Sequence, residues 1–182
     1  MAKFFDALTP AHLAFIAEQE IYFVASAPHT GRVNLSPKGM DTFRVLSPTR
    51  VGYLDGTGSG NETAAHLLEN GRVTVMMCSF TAAPLISRIY GRGRSVHPRD
   101  ADWTQLRPLF GPPLPGERQL IVIEVESVQT SCGFAVPFFD YVGERDTLID
   151  YAEKRGPDGM AAYRTEKNQR SIDGLPTGLP TP

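Results

Sequence analysis

The feature that most constrains the fold is a succession of short β-rich segments joined by turns rather than by long helices. Residues 21–27 are β-branched and aromatic, and residues 118–130 carry apolar side chains on alternate positions, as strands do. Because strands and helices do not alternate regularly, a doubly wound parallel sheet is not expected. The pattern instead predicts a single antiparallel β-barrel with peripheral helices, an α+β fold.

Turn and capping residues divide the chain into these predicted elements. Thr9 followed by Pro10 predicts the start of a helix of about ten residues. A second helix is expected to end at Gly156, with a further one over residues 159–169. The predicted strands cover residues 21–27, 32–37, 42–47, 50–55, 71–80, 84–96 and 118–130. We expect one domain over residues 1–182, with a core of about 10–130 and a C-terminal helical extension of about 140–182.

The composition excludes several classes of protein. Of the 182 residues, 41% are hydrophobic and 21% are charged, and the net charge of −2 gives no overall attraction to nucleic acid. No apolar stretch reaches the length of about 18 residues that a membrane span needs, and no signal-peptide pattern opens the chain. The two cysteines lie far apart and the four histidines lack metal-ligand spacing. We therefore expect a cytoplasmic protein with no disulfide and no metal site.

A glycine-rich loop at residues 56–60 follows the strand at 50–55 and precedes a helical segment. A P-loop would need Lys followed by Ser or Thr after the last glycine, but Asn61 and Glu62 stand there. A dinucleotide-binding turn would need the spacing G-x-G-x-x-G, whereas this loop reads G-x-G-x-G. Neither of these two phosphate-binding motifs is therefore predicted.

The same loop has the features of a helix N-terminus. Ser59 and Glu62 match a capping box, and Asn61 is an alternative N-cap. Two interpretations stay open. In the first, the glycines only turn the chain and the caps only start the helix. In the second, free backbone N–H groups and the hydroxyls of Ser59 and Thr63 face an anion, with the glycines allowing positive φ and close approach.

Other polar residues are candidates for a site near this loop. Asn34, Ser36 and Lys38 occupy alternate positions, so they share one face of a strand. Residues 88–92 place two arginines on one strand face in the same way. Such faces contact solvent unless they meet the glycine loop or a partner subunit. His66, on the helix after the loop, is a candidate for haem binding or proton transfer, and no residue set identifies a catalytic group.

The order of these pieces resembles the pyridoxamine 5′-phosphate oxidase-like family, the FMN-binding split barrels. The resemblance runs from about residue 14 to 128 and is carried by "RVNLSPKG", "RVGYLDGTGSGNETAAHLLENGRVTVMM" and "ISRIYGRGR". It implies an antiparallel split barrel that forms a homodimer with FMN in clefts between the subunits. It also implies a flavin-dependent oxidoreductase acting on an unidentified small molecule, with NAD(P)H as a candidate electron donor.

The resemblance also assigns residues. The segment from Val33 to Lys38 matches the strand along the flavin, and residues 61–63 match the phosphate-gripping Ser-Arg-Lys of the oxidases. Arg88 stands where the family uses a glutamine donated by the neighbouring subunit. The cofactor-binding residues implied in this way are Asn34, Leu35, Ser36, Lys38, Tyr53, Leu54, Ser59, Gly60, Asn61, Thr63 and Arg88.

The sequence departs from the true oxidases in ways that bear on function. Their Arg-Lys pair is Glu62-Thr63 here, so the loop offers a phosphate less positive charge, and Arg88 or Arg92 of a neighbouring subunit is a candidate replacement. The C-terminal Trp and Arg that hold the vitamin substrate have no counterpart, so oxidation of pyridoxamine phosphate is not expected. The alternatives are a split barrel that binds F420 or haem, or a flavin-binding module without turnover.

Overall fold

The computed structural model describes residues 2–180 and places eight strands in one sheet. Met1, Thr181 and Pro182, which the expected domain includes, lie outside the described residues. The strands are β1 (Lys3–Phe5), β2 (Tyr22–Ser26), β3 (Asn34–Lys38), β4 (Phe43–Ser47), β5 (Arg50–Gly56), β6 (Arg72–Cys78), β7 (Leu85–Val96) and β8 (Glu117–Cys132). Their order is β3-β2-β6-β7-β8-β5-β4, β1 pairs with β8, and the pairings are antiparallel. The predicted antiparallel arrangement is therefore confirmed.

Four helices of the described residues lie around the sheet. They are α1 (Pro10–Ala17), α2 (Glu62–Asn70), α3 (Trp103–Leu106), which continues into a 3₁₀ turn at Arg107–Phe110, and α4 (Thr147–Lys167). The predicted start of α1 is confirmed, because the Thr9 side chain accepts a hydrogen bond from the backbone N–H of His12. The predicted helix end at Gly156 is also confirmed, since the backbone there has φ 69° and leaves the helical region within α4.

The sheet is so strongly curved that strands that are not neighbours face each other across the core. The ring of Tyr22 on β2 lies 5.2 Å from that of Phe43 on β4 and 5.8 Å from that of Tyr53 on β5, between centroids. The hydroxyl groups of Tyr22 and Thr42 are 2.8 Å apart and share a hydrogen bond. Since four strands separate β2 from β4 in the sheet, these contacts require a closed curvature. The core inside it is apolar and includes Val24, Val51, Val75, Ile89, Ile121 and Ile123.

Strand β1 is the element that the sequence does not predict. It has three residues and pairs with Val128–Thr130 near the end of β8. Its first two residues are exposed, so it has no alternation of buried and exposed side chains long enough to detect. The pairing that makes it a strand exists only when β8 is already in place.

A bulge brings β7 and β8 into close contact. The pairing shifts from Tyr90 opposite Ser127 to Gly91 opposite Val125, which leaves Glu126 as an extra residue in β8. A Cβ atom placed on Gly91 would lie 2.2 Å from the backbone oxygen of Glu124. Glycine is therefore required at this position by the distance between the two backbones.

The variant Gly91→Ala should destabilise the protein by about 1–3 kcal/mol, because the methyl group forces β7 away from β8. Urea unfolding at neutral pH measures the change. The matched control is Gly58→Ala, where no heavy atom of the described chain lies within 4 Å of the added Cβ, and it should cost less than about 1 kcal/mol. Equal stability of the two variants would contradict the close approach at Gly91.

Candidate functional site

The candidate site is organised by a buried carboxylate between two cations. Asp55 on β5 is 4% exposed and Arg118 on β8 is 6% exposed. The Arg118 Nη2 atom lies 2.7 Å from Asp55 Oδ2, and the Nζ atom of Lys38 on β3 lies 2.8 Å from Asp55 Oδ1. Three strands of the sheet are thus connected through one aspartate.

A bulge in β8 explains how two consecutive residues reach the same carboxylate. Asp55 pairs with Gln119, but Gly56 pairs with Glu117, so Arg118 is the extra residue. Neighbouring residues of a regular strand point to opposite faces, whereas a bulge redirects one side chain. Both Arg118 and Gln119 consequently donate to Asp55 Oδ2, the latter from Nε2 at 2.9 Å.

The electrostatic balance at Asp55 favours the charged form. Burial by itself raises the pKa of this carboxyl, but the positive charges of Arg118 and Lys38 and their hydrogen bonds more than offset it. The net effect lowers the pKa of Asp55 well below its ordinary value. Asp55 therefore stays ionised at neutral pH and serves as a fixed anchor for both cations.

The same network holds the glycine loop and the C-terminal segment. Arg118 Nη1 donates to the backbone oxygen of Gly60 at 2.9 Å and to Asn168 Oδ1 at 2.8 Å. Asn168, which is fully buried, donates from Nδ2 to the oxygen of Gly58 at 3.1 Å. Gln119 Nε2 donates to Asn61 Oδ1 at 2.9 Å. The conformation of the loop is thus set by side chains that are distant in sequence.

Two expectations about this loop are wrong. Helix α2 begins at Glu62 after the N-cap Asn61, so Glu62 is the first helical residue and cannot complete a capping box with Ser59. Its carboxylate instead accepts from the backbone N–H of Ile172, at 3.0 and 3.1 Å. The glycines within 56–60 also do not use positive φ. These glycines are therefore not needed for a left-handed turn, and the close approach to an anion that they would allow stays a prediction.

A polar cavity of about 680 Å³ lies between the loop, β3 and the C-terminal segment. Seven of the predicted site residues line it: Asn34, Ser36, Lys38, Ser59, Gly60, Asn61 and Thr63. Five cationic side chains also line it, namely Arg32, Lys38, Arg118, Lys167 and Arg170, against the carboxylates of Asp55 and Glu62. Most of these charges are paired, Lys38 and Arg118 with Asp55, Arg32 with Asp173 and Lys167 with Glu166. With Glu62 included, the five cations exceed the carboxylates around them by one positive charge. An arrangement of this kind suits an anion.

The remaining predicted site residues lie elsewhere among residues 2–180. Leu35 is largely exposed on the opposite face of β3, and Arg88 donates to Ser131 Oγ at 3.2 Å. Tyr53 and Leu54 are buried in the core, and Lys38 Nζ stands 5.5 Å from the Tyr53 ring centroid. Burial raises the pKa of Tyr53 well above 10, so its phenol stays protonated. The cofactor-binding roles assigned to these four residues stay predictions.

His66 is held inside the protein rather than at the cavity. Its Nδ1 atom is 2.9 Å from Ser26 Oγ, and the residue is 1% exposed. It does not line the polar cavity that the described chain forms. Within residues 2–180 no group of three His, Cys, Asp or Glu side chains could hold a metal ion. None of the helices in that range has the length and apolar character needed to cross a bilayer.

Several residues of the site were missed by the sequence analysis. Arg118, Lys167, Asn168 and Arg170 belong to segments that showed no functional pattern. One signal was present: Asp55 follows four uncharged residues, 51–54, at the end of its strand, and a buried acid needs a cationic partner. The partner itself could not be identified, because many other arginines compete in the sequence for that role.

Comparison with known sequences identifies the family. The family model described as pyridoxamine 5′-phosphate oxidase matches residues 8–132. The chain belongs to the pyridoxamine 5′-phosphate oxidase family. The family protein ustO of Aspergillus flavus is 38% identical over 195 residues, which cover 97% of this chain and 78% of that protein. The resemblance inferred from the sequence is therefore confirmed, and the likeness to ustO extends into the C-terminal segment.

Solved structures show the same fold. HupZ of Group A Streptococcus has a TM-score of 0.55 and 18% identity over 66% of this chain and 91% of that one. A Lactobacillus delbrueckii protein provisionally named a pyridoxamine 5′-phosphate oxidase has a TM-score of 0.54 and 18% identity, over 68% and 94% of the two chains. The fold is thus the antiparallel split β-barrel of this family.

The variant Asp55→Asn should destabilise the protein by about 3–5 kcal/mol at pH 7, since it leaves the buried Arg118 without its counter-charge. Urea unfolding measures the loss. The control Glu124→Gln removes a carboxylate paired with Arg50 on the exposed surface and should cost less than about 1 kcal/mol. Equal losses in the two variants would contradict the central role of Asp55.

The same variant should change the acid sensitivity of the fold. A carboxyl with a lowered native pKa stabilises the folded state above its unfolded pKa of about 3.9, and this contribution is lost as pH falls through the native pKa. The difference between the wild type and Asp55→Asn should therefore shrink below about pH 4. Urea unfolding of both proteins across the acid range measures this difference.

Proposed function

We propose that this chain binds FMN in the polar cavity and acts as a flavin-dependent oxidoreductase on a small molecule. The observation that carries the proposal is the polar cavity at which Arg118, Lys167 and Arg170 meet the glycine loop and the N-terminus of α2. Backbone N–H groups at a helix N-terminus and nearby cations favour a phosphate. Family membership supports the same conclusion.

The phosphate is proposed to bind at residues 59–63, with charge supplied by the C-terminal segment. The loop lacks the Arg-Lys pair expected of the true oxidases, but Lys167 and Arg170 line the same cavity. Glu62 also lines this cavity and keeps its negative charge while it accepts from the Ile172 N–H group, so the cations have to outweigh it. This arrangement removes the need for Arg88 as the main source of positive charge.

Lys38 is proposed to lie at the ring end of the cofactor. Bound FMN would supply hydride or electron transfer, and the protein would supply position and charge. The Asp55 carboxylate holds the Lys38 ammonium group in place, with Tyr53 beneath it. A fixed positive charge there favours the electron-rich, reduced state of the ring. We assign no proton-transferring side chain.

The assembly is proposed to be a cytoplasmic homodimer of one domain per chain. Strand β3 is an edge of the sheet. Val33, just before this strand, and Leu35 within it are apolar residues that are 73% and 65% exposed. An edge strand with exposed apolar side chains favours coverage by another chain. Light scattering should give a mass of about twice the 19.9 kDa of the chain, and a monomer at all concentrations would contradict the dimer.

The absorption spectrum of freshly purified protein, with mass analysis of any released molecule, tests the choice of cofactor. FMN is expected. A deazaflavin spectrum would replace FMN by F420, and a Soret band lost in His66→Ala would indicate haem. Colourless protein that shows neither a spectral change nor thermal stabilisation with added FMN would overturn the proposal. Reduction of bound FMN by NADH or NADPH separates an oxidoreductase from a binding module.

The phosphate position gives a sharper prediction. Combining Lys167→Ala with Arg170→Ala should weaken FMN binding about tenfold and leave riboflavin binding unchanged, because only FMN carries the anion. Quenching of flavin fluorescence measures both affinities. The control is Lys154→Ala, an exposed lysine of α4 that does not line the cavity formed by the described residues. A parallel loss for riboflavin would place the phosphate elsewhere.

A further inference from the structure

A second cavity, of about 1010 Å³, opens on the other side of Lys38. Lys38 lines both cavities, so a molecule in one lies beside a molecule in the other. The walls come from residues 18–21, from the turn after β3, from residues 79–81 and from the segment 139–151. The last of these lies beyond the residues that the family model matches, so this cavity is particular to chains with such an extension.

Aromatic side chains form much of this wall. The rings of Phe80 and Phe139 meet edge to face at 5.4 Å, and the Phe139 N–H donates to the Phe80 oxygen at 3.3 Å. Tyr141 and Tyr151 are the other aromatic residues that line this cavity in the described chain. Phe139 and Tyr141 are nevertheless 65% and 55% exposed. A planar apolar ligand would bury these rings, which is how small-molecule sites gain most of their affinity.

The charges of the lining favour a cation. Four carboxylates line the cavity, those of Glu18, Glu20, Asp140 and Glu144, against Lys38 and Arg145. Lys38 shares the Asp55 carboxylate with Arg118, and the four carboxylates still outnumber the two cations that line the cavity. Glu144 accepts from the Met40 N–H at 2.9 Å and keeps its negative charge while doing so. A carboxylate ligand would meet repulsion here, and an ammonium group would meet attraction.

We propose that this cavity binds a small aromatic molecule carrying a protonated amine. This inference depends on the proposed function only where it calls that molecule the substrate. Lys38 would then lie between the substrate and the cofactor. The aromatic walls select the ring, and the carboxylates select the charge. Binding itself requires no cofactor.

The test uses isothermal titration calorimetry on the full chain with 2-phenylethylamine, 2-phenylethanol and phenylacetate, which share a ring and differ in charge. The amine should bind at least about tenfold more tightly than the acid, with the alcohol between them. Phe139→Ala should weaken all three about tenfold. Phe139 lies in an exposed segment, so its removal leaves the core intact.

Charge variants test the selection of the amine. Combining Glu20→Gln with Glu144→Gln should narrow the amine-to-acid ratio to about threefold or less. The matched control is Glu153→Gln, an exposed carboxylate of α4 outside the lining of this cavity in the described chain, and it should leave the ratio unchanged.

The inference is overturned if amine and acid bind equally, if no probe binds, or if Phe139→Ala changes nothing. FMN is titrated in parallel on the same protein. FMN binding without amine binding rejects this inference and leaves the proposed function standing. Amine binding without FMN binding supports the cavity and rejects the proposed function.

Discussion

The pairing of the buried Asp55 carboxylate with Arg118 and Lys38 is the interaction on which the rest of the site depends. An uncompensated charge at such a position costs several kcal/mol, so each of the three side chains fixes the other two. Through Arg118 the effect extends to the glycine loop, at Gly60, and to the C-terminal segment, at Asn168. The sheet, the loop and the end of the chain are thereby connected by one group of charges.

The C-terminal segment contributes to both cavities of this family fold. The family model ends at residue 132, yet Asn168 shapes the loop and Lys167 and Arg170 line the polar cavity. Positive charge is thus supplied by a segment that is far from the loop in sequence. The residues 139–151 contribute the aromatic wall of the second cavity. Both cavities accordingly combine the split barrel with parts that lie outside the matched residues.

The strands could be predicted because their side chains alternate and their turns contain glycine and proline. The alternation of Asn34, Ser36 and Lys38 correctly indicated one shared face, which the structure places in the polar cavity. The capping box at Ser59 was wrong, because the Glu62 carboxylate accepts from the C-terminal segment instead of turning back to the loop. Local patterns therefore succeeded where contacts are local and failed where a distant segment competes.

The sequence by itself determined the family, the antiparallel barrel and the position of the glycine loop, since these follow from periodicity and from the order of segments. Only the tertiary structure decided which charges meet. Arg118 reaches Asp55 because a bulge in β8 redirects its side chain, and the pairing register that creates this bulge depends on β5. A one-residue shift in pairing has no local signature, so the most important contact of the site became visible only in the folded chain.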